Sequence, residues 1–503
     1  MRSLNKRLYL IKNSMEKQEA VATEFESELN NWVDQEKKAV SLINTMGKLL
    51  FDRSVELVLF RNQLVDQRVS EILKMHRNTQ NYTNRPVSIY DTAALAKDLL
   101  DIDLAPSKID IGKLANEWLK EEENYANRKE FLISKLDGFI GLDKRNLAPK
   151  DVVLYGFGRI GRIAARELIK QAGKGQQLRL RAIVTRNDDE IALEKRAALL
   201  RNDSVHGTFN GTVDVDTKER TMIINGQIVQ MINASQPDEI DYTAYGIDNA
   251  LIIDNTGVFK DREALGRHLK SKGVAKVILT APGKEIPNIV YGVNHKGELD
   301  IEQENIFSAA SCTTNAIVPV LKVIEDQLGV VKGHIETVHA YTNDQNLLDN
   351  MHKKSRRGRS AAINMVITET GAGKAVTKVI PSLENKLTAN AVRVPTPNGS
   401  LAIMNLTVEK ETSLEEVNAL LRSAALEGDL VNQIFYSTDS ENVSSDIIGN
   451  TCCSVYDAPA TLVSPDKKSI VLYVWYDNEF GYSCQVMRVV RDMANVTIPK
   501  LPA

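Results

Sequence analysis

Four cysteines and seven histidines occur among 503 residues, and one of each stands where chemistry can start. Ile306-Phe307-Ser308-Ala309-Ala310 reads as an apolar strand running into Ser311-Cys312-Thr313-Thr314-Asn315, and the apolar spacing from Ile317 to Leu328 is helical. Cys312 then opens a helix. A free thiol ionises near ~8.5, and a helix N-terminus or a neighbouring imidazole lowers that value and increases the nucleophilic thiolate. His339, at the end of an apolar strand in Thr337-Val338-His339-Ala340-Tyr341-Thr342, can supply the imidazole. Taken singly, such a cysteine is more often inert core and such a histidine a satisfied core residue. Together they can act as a nucleophile and its base.

Val152-Val153-Leu154-Tyr155 enters Gly156-Phe157-Gly158-Arg159-Ile160-Gly161, and helical spacing follows from Ile163 to Lys170. Between a strand and a helix, G-x-G-x-x-G cradles a pyrophosphate. The first two glycines permit a tight turn and close backbone approach, the third lets helix pack on strand, and the helix start supplies N–H groups. Where the second strand ends, an acid usually holds the ribose 2′-hydroxyl; here Thr185 and Arg186 take that place, with Asp188 and Asp189 beyond. Arg186 suits a 2′-phosphate as well as it suits a solvated loop, so NAD and NADP both stay open. Thiol, imidazole and dinucleotide fold together suggest a thiolate that attacks a carbonyl and a cofactor that takes hydride from the adduct.

The elements that must position these residues follow from pattern and length. At ~150 residues per domain the chain holds about three, and 43% hydrophobic with 26% charged residues is the balance of a globular protein. Lys plus Arg number 63 against 66 Asp plus Glu, a net charge of -3, which leaves no basic field for nucleic acid. The short run Lys353-Lys354-Ser355-Arg356-Arg357-Gly358-Arg359 lacks interleaved aromatics and reads as a solvated or intersubunit face. Leu8-Tyr9-Leu10-Ile11 is too short for a signal core or a membrane span, and few cysteines fit a reducing compartment, so a cytoplasmic protein is expected. No metal-ligand spacing is present, and no metal is expected.

Before residue 150 only Gly47, Gly112, Gly138 and Gly141 occur, and Val21, Phe25, Leu29, Trp32, Val40, Ile43, Met46 and Leu50 recur at helical intervals. Long helices without tight turns are expected there, with a loop over residues 77–86 and another helix after Ser107. From Asp151 short apolar runs alternate with helical stretches, the pattern of a parallel α/β sheet, while Ile335–Ala340, Leu401–Val408 and Ile470–Trp475 read as strands of a second sheet. The expected class is α/β: a Rossmann-type domain plus an α+β catalytic domain, preceded by a mostly α-helical extension. The expected divisions are 1–147, 148–311 joined by a C-terminal helix over 481–503, and 312–480.

From about Lys150 onward, roughly 70% of the chain resembles phosphorylating glyceraldehyde-3-phosphate dehydrogenases. The resemblance rests on the glycine motif with Arg162, Asp203-Ser204-Val205-His206-Gly207, Ser311-Cys312-Thr313-Thr314-Asn315, His339-Ala340-Tyr341-Thr342-Asn343-Asp344-Gln345, Arg393-Val394-Pro395-Thr396 and Trp475-Tyr476-Asp477-Asn478-Glu479-Phe480-Gly481-Tyr482. It implies that Cys312 is the nucleophile and that His339 raises its thiolate fraction and accepts the hemithioacetal proton. It further implies an inorganic phosphate site at Thr313, Thr370 and Gly371, beside Ser311, and a substrate phosphate site at Thr342, Asp344 and Arg393. Asn478 would orient the nicotinamide, and Arg159, Ile160, Thr256, Gly257 and Thr280 would complete the cofactor contacts. A homotetramer, reversible oxidation of glyceraldehyde 3-phosphate, and a place in glycolysis or gluconeogenesis are implied in the same way.

Two departures loosen discrimination against NADP: the missing acid near Thr185, and Asn350-Met351 after Asp349 where NAD-specific members resemble Leu-Pro. Erythrose-4-phosphate dehydrogenase is the enzymatic rival, although Thr370-Gly371 and the segment 476–482 resemble the glyceraldehyde enzymes more. A redox-sensing scaffold acting through the N-terminal helices is the rival of another class.

Overall fold

A computed structural model of the chain describes residues 2–81, 83, 85–141, 148–171, 178–296, 303–496 and 500–501. The chain divides into two compact units, residues 1–145 with 498–502, and residues 146–497 with 503.

The first unit is mostly helical. Its first helix, Arg2–Arg53, is 52 residues long. Ala39, Leu42, Met46 and Leu49 fall on one face at three- and four-residue steps and pack with Ile72, Leu73, Leu95, Leu99, Leu114, Phe131 and Leu132 from four shorter helices. The unit also holds a four-stranded sheet, ordered Asn62–Gln63, Val55–Leu59, Ser107–Asp110, Lys500–Leu501, which corrects the expectation of long helices without tight turns. The turn was invisible because it lacks the usual glycine. Phe60 and Arg61 both adopt positive φ, 42° and 70°, between the paired residues Leu59 and Asn62. The buried Asp110 carboxylate makes this possible by accepting the Phe60 and Arg61 backbone N–H groups at 2.8 and 2.9 Å. The expected loop over 77–86 begins inside the helix Val69–Asn78, and the expected helix after Ser107 starts only at Ile111.

In the second unit an eight-stranded sheet runs Ile306–Ser308, Val274–Leu279, Ala250–Asp254, Lys150–Tyr155, Leu178–Thr185, Gln227–Asn233, Thr221–Ile224, Val213–Asp216. The first six strands run parallel, and each of the last two is paired antiparallel to the strand before it. Both faces are covered: Val152 and Leu154 enter one core, Val153 and Tyr155 the other, as period-two side chains require. This is the Rossmann arrangement expected from the sequence.

A mixed sheet follows, with Val330–Ala340 between Leu387–Val394 and Ser400–Val408, and Ser469–Tyr476 beside the last. Ala402, Met404, Leu406, Ile470, Leu472 and Val474 alternate onto the face covered by the helices Cys312–Leu328 and Leu414–Leu426. The last helix, Phe480–Met493, returns to the nucleotide-domain core through Val486, Met487, Val490 and Met493. It does not continue to residue 503 as expected: Asn495 takes a left-handed φ of 54°, and Lys500–Leu501 pairs with the Ser107–Asp110 strand of the first unit.

Candidate functional site

Ser311 caps the helix that Cys312 opens, its hydroxyl accepting the Thr314 N–H at 3.0 Å. Just upstream, Ala310 holds a φ of 55°, strained for a residue with a β-carbon. Its carbonyl accepts the Tyr482 hydroxyl at 2.9 Å and its N–H donates to Ser308 at 3.0 Å, so the elbow is fixed from both sides. Nothing in the sequence marks an alanine for such a role.

The strand Val330–Ala340 brings His339 Nε2 to 3.6 Å from Cys312 Sγ. Arg393 lies opposite His339 on the adjacent parallel strand. His339 Nδ1 stands 2.7 Å from both Arg393 Nη1 and the Ala340 carbonyl oxygen, and Nη1 is 2.8 Å from that same oxygen. Arginine only donates, so while it bonds the ring Nδ1 accepts and Nε2 carries its proton toward sulfur. If Arg393 turns to another anion, Nδ1–H donates to the Ala340 carbonyl instead, and Nε2 becomes an acceptor. The arginine thus sets which tautomer faces the thiol.

Burial, aided by the Arg393 charge, depresses His339 to about 3, so the ring is neutral at pH 7. Burial pushes the Cys312 thiol up; Arg393 and the hydrogen bonds of the helix start pull against this without reversing it. The expected net lowering by helix and imidazole is therefore corrected, because desolvation outweighs both. Arg393 is itself buried, and its Nε has no hydrogen-bond partner. Arg357 lies near enough to depress its pKa further after burial. Two neighbouring guanidinium groups with an unsatisfied donor suit an anion.

Around them the Asp344 carboxylate accepts from the Thr342 hydroxyl and from Arg357, whose Nε donates to Thr368 at 3.1 Å. Arg357 is therefore no part of a solvated face: its side chain is 12% exposed and holds Asp344. Both amide atoms of Gln345 and the Thr396 hydroxyl are buried without partners in the same segments. Thr313 Oγ1 is 3.0 Å from the Tyr476 hydroxyl, whose ring stands edge-on to His339 at 5.9 Å. Asn478 is linked to this group through Ser400, a residue that sequence reasoning missed. The Ala340 N–H donates to Ser400 Oγ at 3.1 Å, and that hydroxyl donates to Asn478 Oδ1 at 2.9 Å. Thr370 and Gly371 open the helix Ala372–Val379, the Thr370 hydroxyl accepting the Ala372 N–H at 3.2 Å. No hydrogen bond among the described residues joins these two to the Cys312–His339 pair.

The nucleotide crevice has its own geometry. Gly156 has a φ of 94°, and a β-carbon on Gly161 would meet the Gly156 carbonyl oxygen at 2.4 Å, so helix and strand approach as the motif demands. A β-carbon on Gly158 would meet nothing within 4 Å; the open space lies where a pyrophosphate would approach the backbone. These residues fit a dinucleotide. The Phe157 side chain belongs to the hydrophobic core, with Ile160 packed beside it, so both shape the turn from behind. Arg159 is bound to Asp203 at 3.2 Å and to Glu479, which also accepts from His206 at 2.9 Å. Arg159 and His206 hold Glu479 below the usual carboxylate range, while the backbone N–H groups of His206 and Val205, aided by Arg159, hold Asp203 at about 2. The site role expected of Arg159 is thus accompanied by a structural one, tying the glycine helix to the segment that carries Asn478.

Thr185 donates to the Asn187 carbonyl at 2.9 Å, and Arg186 is exposed. Neither acid beyond them is free: Asp188 pairs with Arg220 at 2.8 Å, and Asp189 caps the helix Glu190–Arg201 through the Ala192 N–H at 2.7 Å. Thr256 donates to Asp254 at 2.7 Å before Gly257, which has a φ of 64°, and Thr280 donates to the Asp254 carbonyl at 3.1 Å. These loops end the strands Ala250–Asp254 and Val274–Leu279, at the carboxyl edge where ligands of such sheets bind.

A crevice of this kind beside a mixed-sheet domain defines a dinucleotide-dependent dehydrogenase. Family models agree: residues 150–262 match the glyceraldehyde 3-phosphate dehydrogenase NAD binding domain, and residues 311–478 match the C-terminal domain. The chain is 49% identical over 466 residues to a glyceraldehyde-3-phosphate dehydrogenase-like protein of Pseudomonas aeruginosa, covering 92% of this chain and 100% of that one. It is 41% and 38% identical to glyceraldehyde-3-phosphate dehydrogenase 2 of Nostoc and glyceraldehyde-3-phosphate dehydrogenase of Clostridium pasteurianum, in each case over 69% of this chain and 98% of the relative. The chain belongs to the glyceraldehyde-3-phosphate dehydrogenase family and is an oxidoreductase that uses NAD(P). Among the described residues no helix is long and apolar enough to cross a membrane.

Proposed function

We propose that the chain oxidises D-glyceraldehyde 3-phosphate with NAD(P) and inorganic phosphate to 1,3-bisphosphoglycerate through a thioester on Cys312. The observation that carries this reading is the grouping of Cys312 Sγ 3.6 Å from His339 Nε2 with Arg393 on the other side of the same ring. The substrate phosphate is the anion that satisfies Arg393, with Thr342 and Asp344 beside it. Drawing Arg393 onto that phosphate turns the His339 ring into the tautomer whose Nε2 accepts a proton. His339 Nε2 takes the thiol proton as the Cys312 sulfur attacks the aldehyde carbon. It passes the proton to the carbonyl oxygen to form the hemithioacetal hydroxyl, and removes it again as the C–H bond breaks and its electron pair leaves with the hydrogen as hydride. NAD(P), when bound, accepts that hydride.

Phosphate attack on the carbonyl carbon breaks the C–S bond and returns the thiolate, with Thr313, Thr370 and Gly371 supplying hydroxyl and backbone donors to the incoming oxyanion. Asn478, positioned through Ser400, would hold the nicotinamide amide. The absence of a free acid after Thr185 supports use of both cofactors. Leu347, Leu348, Met351, Ile363 and Met365 are 73 to 95% exposed, an apolar patch that supports a homo-oligomer, the tetramer of the family. Its four free cysteines support a reducing, cytoplasmic setting, where the reversible reaction serves glycolysis or gluconeogenesis.

Initial rates with glyceraldehyde 3-phosphate test the reading. Reduction of NAD or NADP that depends on inorganic phosphate is expected; equal rates without phosphate, or preference for erythrose 4-phosphate with release of a free acid, would overturn it.

A further inference from the structure

His268 and Asp254 are both fully buried in the nucleotide-binding domain, outside the glycine motif and outside the Cys312–His339 pair. The histidine opens the turn His268–Lys270, just after the short helix Arg262–Gly266. That turn is anchored from behind: the Ser271 N–H donates to the His268 carbonyl at 3.1 Å, and the Ser271 hydroxyl donates to the Pro237 carbonyl at 2.7 Å. The His268 ring stands edge-on to Tyr155 at 4.7 Å and to Phe259 at 5.9 Å. Its Nε2 donates to Asp254 Oδ2 at 3.0 Å, and its Nδ1 has no hydrogen-bond partner. An apolar side chain would leave no orphaned nitrogen, so packing alone does not account for an imidazole here.

The single bond that the ring makes has a definite recipient. Asp254 ends the strand Ala250–Asp254, and its other oxygen, Oδ1, accepts both the Thr256 N–H at 2.8 Å and the Thr256 hydroxyl at 2.7 Å. The same hydroxyl accepts the Val258 N–H at 3.1 Å. The loop from Asp254 to Val258, with Gly257 at a φ of 64°, is thus hung from one carboxylate. It has little packing of its own, since Thr256 and Gly257 are half-buried and Val258 is 71% exposed. The terminal torsion of an aspartate is broad, and a donor on the second oxygen fixes it. His268 also touches the second crevice loop at its root, because Tyr155 directly precedes Gly156 and its carbonyl accepts the Asn255 N–H at 2.8 Å.

We propose that His268 is a positioning residue for the dinucleotide: through Asp254 it holds the Thr256-Gly257 loop in the shape that receives the cofactor. The ring itself, being fully buried, touches no ligand. The proposal rests on the reading of Thr256 and Gly257 as cofactor contacts.

Dissociation constants for NAD and NADP by isothermal titration calorimetry, beside thermal melting of the same full-length chains without dinucleotide, decide it. His268→Gln keeps an N–H donor at the reach of Nε2. His268→Asn ends near the place of Nδ1, and His268→Phe keeps the bulk of the ring without the donor, so the loss of either one to misfolding leaves the other. The glutamine chain is expected to bind within about twofold of the parent, and the asparagine and phenylalanine chains roughly tenfold more weakly, the equivalent of one hydrogen bond to a charged group. Thr256→Val should weaken binding as well, and combined with His268→Phe it should add less than its own factor, because both act on one carboxylate. Equal dissociation constants for parent and all three His268 variants, with only the melting temperature lowered, would reduce His268 to core packing and overturn the proposal. Factors that simply multiply in the double variant would overturn it too. Parent-like binding by Thr256→Val would overturn it at a different point, by showing that this loop is no cofactor contact.

Discussion

At the scale of single residues, burial decides the protonation of the Cys312–His339 pair. With a folded pKa of about 3 against an ordinary 6.5, His339 resists a proton that the unfolded chain binds freely. Above pH 6.5 neither state is protonated and the imidazole costs nothing; between 6.5 and 3 its resistance increasingly favours the unfolded chain. His339→Asn should therefore show a shallower loss of stability over that interval in urea titrations, while kcat/KM falls by about 10²-fold or more. Arg393→Gln removes the charge that opposes desolvation of the thiol, so the alkaline rise of cysteine alkylation should move to higher pH than in the parent. Cys312 and His339 were legible because strand-end and helix-start patterns are local. Ser400, Arg357 and Gln345 were not, because their roles arise only where separate segments meet, and the net direction of the Cys312 shift depends on an enclosure that no spacing reveals.

At the scale of elements, the glycine turn separates packing from ligand binding. Gly161→Ala places a methyl 2.4 Å from the Gly156 carbonyl oxygen and should cost about 1–3 kcal/mol of stability in denaturant melts. Gly158→Ala meets open space, so its melting should match the parent while the dissociation constant for the dinucleotide rises. The Glu479 junction behaves as a clamp between the glycine helix and the last helix. Its carboxylate and that of Asp203 are depressed, so their contribution is full above the ordinary carboxylate range and disappears as pH falls through their folded values, about 2 for Asp203. Glu479→Gln should lower stability at pH 7 by about 2 kcal/mol and flatten its acid dependence, as calorimetry at stepped pH would show. The Rossmann elements could be read in advance because strand, glycines and helix are consecutive. The first unit's sheet could not, since the Phe60-Arg61 turn has no glycine and depends on Asp110, 49 and 50 residues away.

At the scale of the whole molecule, the chain returns at its end to the unit where it began: Lys500 and Leu501 pair with Lys108 and Ile109. A chain ended at Val496 should lose roughly 3 °C from the melting of the first unit and keep its initial rate unchanged. The resemblance to the dehydrogenase family was readable over the second unit because its motifs are ordered along the sequence. The first unit offered only helical periodicity. The central claim is that the second unit works through a covalent bond to one sulfur. Intact-protein and peptide mass spectrometry after mixing the full chain with glyceraldehyde 3-phosphate and NAD(P), without inorganic phosphate, tests it most directly. The expected result is a 3-phosphoglyceryl thioester on the Cys312 peptide, discharged by added phosphate and absent in Cys312→Ser; a Cys312→Ser chain that still turns over at the parent rate would contradict it.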